Sequence, residues 1–329
     1  MRLQFRQFVT LATLTAVEAT RQPIFLLLTT TCVLLTILTP MLALYNFGED
    51  GRLARDSGLA YQFVFGLFVA AYAACSSLAR EIRSGTASAV LSKPVNRDIF
   101  FLSKFAGVSF VIIAFSICSV TATLLSERVA ERFMLTSKTV GYVTDWQTAG
   151  MLVASVFLSY LIAGLLNYKL KQPFESTAFG LLIVGVLAVF VISGFFNQLG
   201  DFDPFDFRVQ WRILPVSILI TMALLILAAI ALALSSCLDT ISTVIFCVAF
   251  FALGLLSDYL FGRYAGTFIA PTLAHMLLPN WQHFWMSDAL RRGGSVPWSY
   301  LLSAAVYTVA YIIGVLCLGI ASFRHADMK

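Results

Sequence analysis

Charge is scarce in this chain. Asp, Glu, Lys and Arg make up 12% of its 329 residues, against 59% hydrophobic, where a soluble domain carries about 25% charged. Several runs longer than about 18 residues hold no charge, which is the pattern of membrane-spanning helices. A soluble globular core is excluded as the organising principle. The motif GxxxxGK followed by Ser or Thr is absent, so the chain has no phosphate-cradling loop of its own. No apolar run carries Asp, Glu, Lys, Arg or His in its interior. Carriers driven by ion gradients place such groups at mid-depth, so their absence argues against a secondary carrier. No CxxC pair occurs. Cys32, Cys75, Cys118, Cys237, Cys247 and Cys317 all sit in or at the ends of apolar runs, as small packing residues do. His275, Met276, His283 and Met286 follow no fixed metal-ligand spacing, and no metal site is expected. No nucleophile–base pair or paired catalytic carboxylates stand at mechanistic spacing. The net charge of +5 requires no nucleic acid.

What is present is a succession of apolar runs, at about 24–45, 59–79, 100–125, 146–168, 176–197, 213–235, 240–261 and 299–322. The expected fold is an all-α polytopic membrane protein of about eight transmembrane helices, six being the alternative. The first run is long enough to span, and no small-x-small cleavage pattern follows it, so it does not read as a cleavable signal. Residues 1–22 mix Leu3, Phe5, Phe8, Val9, Ala12 and Ala16 with Arg6, Glu18 and Arg21, a pattern that suits an amphipathic helix on the inner membrane face, an ordinary soluble extension of the first span being the alternative. Residues 23–329 then form a single transmembrane domain. Pro23 suits a first helical turn, and Asp239 is a candidate N-cap after the turn at 235–238.

Eight spans put both termini on one side. With the termini inside, inner segments hold 12 Lys and Arg and outer segments 10, a thin margin on the positive-inside rule. Trp146, Trp211, Trp281, Trp285 and Trp298 all fall on the other side. The outer segments are then 46–58, 126–145, 198–212 and 262–298. In the last of these, Leu273, Met276, Leu277, Trp281, Phe284 and Trp285 recur at three- and four-residue spacing, broken by Pro279. Two short re-entrant or interfacial helices are expected there, with Trp281, Phe284 and Trp285 as an outer interface or gate.

One polar island interrupts the apolar runs. From Arg80 to Lys104 it holds seven charges: Arg80, Glu81, Arg83, Lys93, Arg97, Asp98 and Lys104. Each Arg, Lys or Asp at a bilayer centre costs about 2.5–3.5 kcal/mol, so the segment is expected in water. Pro94 ends any helix near Lys93, and Asp98 can cap the next one. Ile82, Thr86, Ala89 and Val90 share one face of a short helix. Such a helix strapped between two spans suits a docking element.

Glu81, Ser84-Gly85-Thr86, Leu91-Ser92-Lys93-Pro94-Val95, Arg97 and Lys104 resemble the corresponding segment of ABC-2 type transporter permeases. There a Glu precedes Gly-Thr, a short helix runs to a Leu-x-x-Pro turn, an Arg follows, and a Lys opens the next span. Leu278-Pro279-Asn280, Trp298 and Phe323-Arg324 are similar to the family's final segment. The resemblance is good over 59–110, fair over 235–329 and weak over 126–212.

The resemblance implies a membrane-spanning permease of an ATP-binding cassette transporter, an exporter in the bacterial cytoplasmic membrane with both termini cytoplasmic. It implies that residues 80–98 form a coupling helix on which a separate ATPase chain docks, with two ATPase copies in the whole complex. ATP and magnesium belong to that partner, with no cofactor and no catalysis in this chain. The docking residues would be Glu81, Arg83, Gly85, Thr86, Pro94 and Arg97. A second permease copy or a related permease, and membrane lipid, complete the expected partners. The alternative is a mechanical anchor that couples a cytoplasmic ATPase to an extracytoplasmic protein assembly without moving a substrate. The substrate class is not readable from the residues.

Overall fold

The computed structural model describes residues 2–42, 51–83, 96–135, 140–196, 202, 209–264, 269, 272 and 278–325, with the side chains at 2–3, 79–83, 132–135, 140, 142, 264, 292–293 and 325 outside that description. The helices are α1 (Arg2–Thr20), α2 (Pro23–Leu42), α3 (Arg52–Arg83), α4 (Arg97–Val129), α5 (Trp146–Leu170), α6 (Phe174–Ser193), α7 (Ile213–Leu234), α8 (Thr240–Leu255), α9 (Ser257–Leu260) and α10 (Trp298–His325). An antiparallel hairpin, β1 (Arg132–Leu135) and β2 (Val140–Val143), separates α4 from α5, with Arg132 opposite Val143.

Among the described residues seven helices are long and apolar enough to cross a membrane: α2 to α7 and α10. The chain is an all-α polytopic membrane protein. The run expected to span at 240–261 divides instead into α8, of 16 residues, and the four-residue α9, with a break at Leu256. Sixteen residues reach about 24 Å, short of a hydrocarbon core of about 30 Å.

The chain divides into two compact units, residues 1–19, 67–112 and 218–329 in one, and 20–66 with 113–217 in the other. The second has a core of Val33 and Ile37 (α2), Cys118, Ala122 and Leu125 (α4), Leu152 and Val156 (α5), and Leu182, Val186 and Val189 (α6). Lipid offers no partner to a polar group, so hydroxyls must be satisfied internally. Thr30 and the Tyr160 hydroxyl share a hydrogen bond of 2.7 Å, and Ser126 donates to the Thr36 carbonyl at 2.6 Å. Buried Gln62 and Ser217 bond twice, at 2.8 and 3.3 Å. α5 and α6 form a tight helical hairpin. Lys171 closes α5 in the left-handed region (φ 53°), its N–H on the Asn167 carbonyl, and Pro173 stands before α6.

The polar loop expected from 126 begins later, because α4 continues to Val129. Glu127 and Arg128 are buried there. Arg128 Nε donates to Asp145 at 3.1 Å, and a second guanidinium nitrogen donates to the Phe196 carbonyl. Asp145 also caps α5, accepting from the Thr148 N–H at 2.9 Å and hydroxyl at 2.7 Å. These bonds tie the ends of α4, α5 and α6 together and let the charges stay in a helix.

In the first unit, α7 is apolar on all sides and correspondingly buried, with Ile220, Leu224, Leu227, Ala228 and Ala231 fully enclosed. Residues 69–75 of α3 are mostly Ala and buried, and small residues allow the close helix approach that membrane packing rewards. α10 is the opposite case. Leu302, Val306, Val309, Ile313 and Leu318 are exposed along it, as lipid-facing residues are.

Candidate functional site

The polar island joins the two longest helices. α3 has 32 residues and α4 has 33, about 48 and 50 Å, so both exceed the bilayer core. Helix α3 runs through Glu81 and ends at Arg83, so both docking candidates lie in its last turn. Gly85, Thr86 and Pro94 lie outside the described residues, as do the side chains of Glu81 and Arg83. What is described is the exit of the island, and it is bound tightly.

Asp98 was expected to cap the helix after Pro94. α4 begins instead at Arg97, with the Phe100 N–H on the Asn96 carbonyl at 3.0 Å, so Asp98 stands inside the first turn. Its carboxylate faces Arg324 near the end of α10. Arg324 Nε donates to Asp98 Oδ1 at 2.9 Å, and a terminal guanidinium nitrogen donates to Oδ2. Arg97 completes the clasp by donating to the Arg324 carbonyl at 3.0 Å. The dipeptide Arg97-Asp98 thus holds Arg324 by backbone and side chain at once. Beneath it Phe323 is fully buried, stacked on Phe100 (centroids 6.0 Å apart, 15° between planes) and tilted against Phe101 at 5.9 Å. Gly319 is needed here, since a Cβ would collide with the Phe101 ring at 2.7 Å and Ala233 at 3.1 Å.

Lys104 corrects the expectation that all seven island charges lie in water. It is only 1% exposed. Its ammonium lies 5.5 Å from the Phe100 ring centroid and 4.0 Å from the Glu18 carboxylate on α1. A charge–ring contact and an opposite charge both stabilise a desolvated ammonium. α1 reaches this position by packing on α4 where Gly107 meets the Ala12 carbonyl and Thr15. The turn between α7 and α8 joins the same end of α10. Ser236 and Cys237 share hydrogen bonds with the Ser322 hydroxyl at 3.2 and 3.1 Å. The bond to Ser322 holds the exposed Cys237 thiol below its usual pKa. Asp239 then starts α8, its carbonyl taking the Thr243 N–H at 2.9 Å and hydroxyl at 2.8 Å.

The second candidate region lies at the opposite end of α10. Over 278–297 the expected amphipathic helices are 3-10 turns, Trp281–His283 and Ser287–Gly293. Asn280 caps the first, accepting from the Gln282 N–H at 3.0 Å. Trp281 and Phe284 are buried and Trp285 is partly buried. Trp281 packs on Phe251 at 5.9 Å and Phe284 at 6.3 Å, and Phe284 reaches Tyr307 of α10 at 6.2 Å. The indole also fills the space beside Gly254, where any Cβ would strike it. Leu273, Met276 and Leu277 lie outside the described residues.

The sequence reading named Arg97 and the island's charges but missed the partners that fix them. Glu18, Phe100, Phe323 and Arg324 come from helices far apart in the chain, and Phe323-Arg324 was marked only through family likeness. Nothing in local spacing announces a pair separated by 226 residues. Neither described region holds a catalytic constellation. What the Asp98 end offers is a mechanical junction of α1, α4, α10 and the α7–α8 turn.

No curated protein matches the chain. Residues 9–168, which run from α1 through most of α5 and include the island, match the family model described as ABC-2 family transporter protein. Over those residues, which include the island and its flanking spans, the chain is similar to ABC-2 family transporter proteins, and its apolar helices of spanning length make it a multi-pass membrane protein.

Proposed function

We propose that this permease is the export pathway of a transporter driven by a separate ATPase, which docks on residues 80–98 from the cytoplasm. The observation that supports it most is the placing of the island. It joins the two longest helices, lies within the family match, and leaves Arg97-Asp98 fixed to α10 rather than loose. A segment anchored in this way transmits force, where a slack connector would absorb it. Glu81, Arg83 and Arg97 supply charge for a partner surface, and Gly85 permits close backbone approach. ATP and magnesium stay with the ATPase. Two ATPase copies and two permeases, identical or related, make the working complex, with both termini of this chain in the cytoplasm of a bacterial cell.

The test is to replace Glu81 by Arg and Gly85 by Trp in the full chain, and to purify it from its native membrane. Loss of the co-purifying ATPase and of its stimulated ATP hydrolysis is expected. Survival of both would overturn docking through this segment. ATP hydrolysis that moves no substrate, with an extracytoplasmic protein bound, would replace the exporter by the mechanical anchor.

A further inference from the structure

The clasp at the island's exit does more than close a helix end. Arg97 and Asp98 are the last island residues before α4 becomes buried, and both engage one residue of α10. The bonding has two parts of different character. Phe323 stacked on Phe100 and Phe101 is dry and fully enclosed, so it behaves as a fixed pivot. The Arg324–Asp98 pair is wet, its side chains 56% and 30% exposed. Water and salt screen such a pair, so it opens and closes at small cost. A bidentate fork is also directional, holding only when the two helix ends keep one mutual orientation. A strong weld would immobilise α10, and no bond at all would leave it uncoupled.

We propose that Asp98–Arg324, pivoting on Phe323, is a reversible latch that passes displacement of the coupling segment to α10. The latch rests on the docking of an ATPase at residues 80–98. It makes α10 a driven element, although α10 lies outside the matched residues 9–168 and is far from the island in sequence. Arg97, Asp98 and Arg324 are positioning residues.

The structure supplies its own reporter. Cys237 Sγ lies 3.1 Å from the Ser322 hydroxyl, one turn or less from the latch. In a Ser322→Cys, Cys317→Ser chain, a copper–phenanthroline oxidant links positions 237 and 322 only while the α10 end is seated. The experiment uses the full chain in its native membrane with its ATPase. Cross-linking is expected at rest. Asp98→Arg or Arg324→Asp alone should lower its yield several-fold, and the two together should restore at least half of it. In the intact complex, trapping with ATP and vanadate should also lower the yield several-fold.

Single reversals that leave the yield unchanged, or a swap that restores none of it while the chain elutes as a folded species, would overturn the latch. If the charge variants behave as expected, ATP and vanadate change nothing, and Glu81→Arg still detaches the ATPase, docking stands and the latch as transmitter falls. If no ATPase co-purifies with the unaltered chain, docking fails and the transmitter role fails with it.

Discussion

At the scale of the residue, the informative side chains are the charges that the structure buries. Lys104, Glu127, Arg128 and Asp145 are each 3% exposed or less. A buried ion keeps its charge only if its partners are near and well aimed. Arg128 meets that demand with one carboxylate and one carbonyl, reaching two other helix ends. Removing one member of a buried pair costs about 3–5 kcal/mol, because the other charge is stranded. Arg128→Met is therefore expected to lower the thermal unfolding midpoint of the detergent-purified chain by several degrees. An unchanged midpoint would show that Asp145 finds water or another donor. Trp281 illustrates a different constraint. Its indole N–H is buried without an acceptor among the described residues, so its place is set by ring packing on Gly254, Phe251 and Phe284 rather than by a hydrogen bond.

At the scale of the element, α8 poses the sharpest question. It is too short to span by length alone, yet its neighbours require the chain to cross. Cys237, just before α8, touches Ser322 near the end of α10. α10 has 28 residues, about 42 Å, so Trp298 lies on the other side of the membrane from Ser322. The chain between Cys237 and Trp298 is therefore expected to cross the bilayer, with α8 covering most of the depth. In a Cys317→Ser background, an impermeant maleimide should modify Cys237 and an Arg324→Cys variant from one face and a Trp298→Cys variant from the other. All three reacting from one face would show that α8 turns back. Among the described residues, the eight passes expected from hydropathy are then seven long helices and one short crossing. Backbone inside a membrane need not be one unbroken helix where protein surrounds it.

At the scale of the whole molecule, the proposed permease draws its energy from a partner chain. It has no phosphate-cradling loop and no charge in mid-span, and its buried charges lie toward helix ends. The purified chain alone is expected to release no phosphate from ATP above a protein-free control, measured by a coupled phosphate assay. Turnover by the isolated chain would reverse the division of labour between permease and ATPase. The family match reaches through 126–168, where the sequence reading found the likeness weak. The hairpin and the Arg128–Asp145 bond explain why that stretch looked like an ordinary polar loop.

The sequence by itself determined the class of molecule, the positions of its long helices and the one island that lipid rejects. Those follow from transfer free energies that sum over local runs, so a single strand of text carries them. Pro23 as the first residue of α2 and Asp239 before α8 were legible for the same reason, since helix starts depend on a few adjacent residues. The polar island was legible as a pattern, and Arg97 as one of its charges, but not the clasp at its exit. Only the tertiary structure decided that Lys104 leaves water for Glu18 and a ring, that Glu127 and Arg128 extend α4, and that Arg324 grips Asp98. Each of these outcomes turns on whether a charge finds a partner from a distant helix, and desolvation makes that choice in three dimensions, where sequence spacing no longer measures distance.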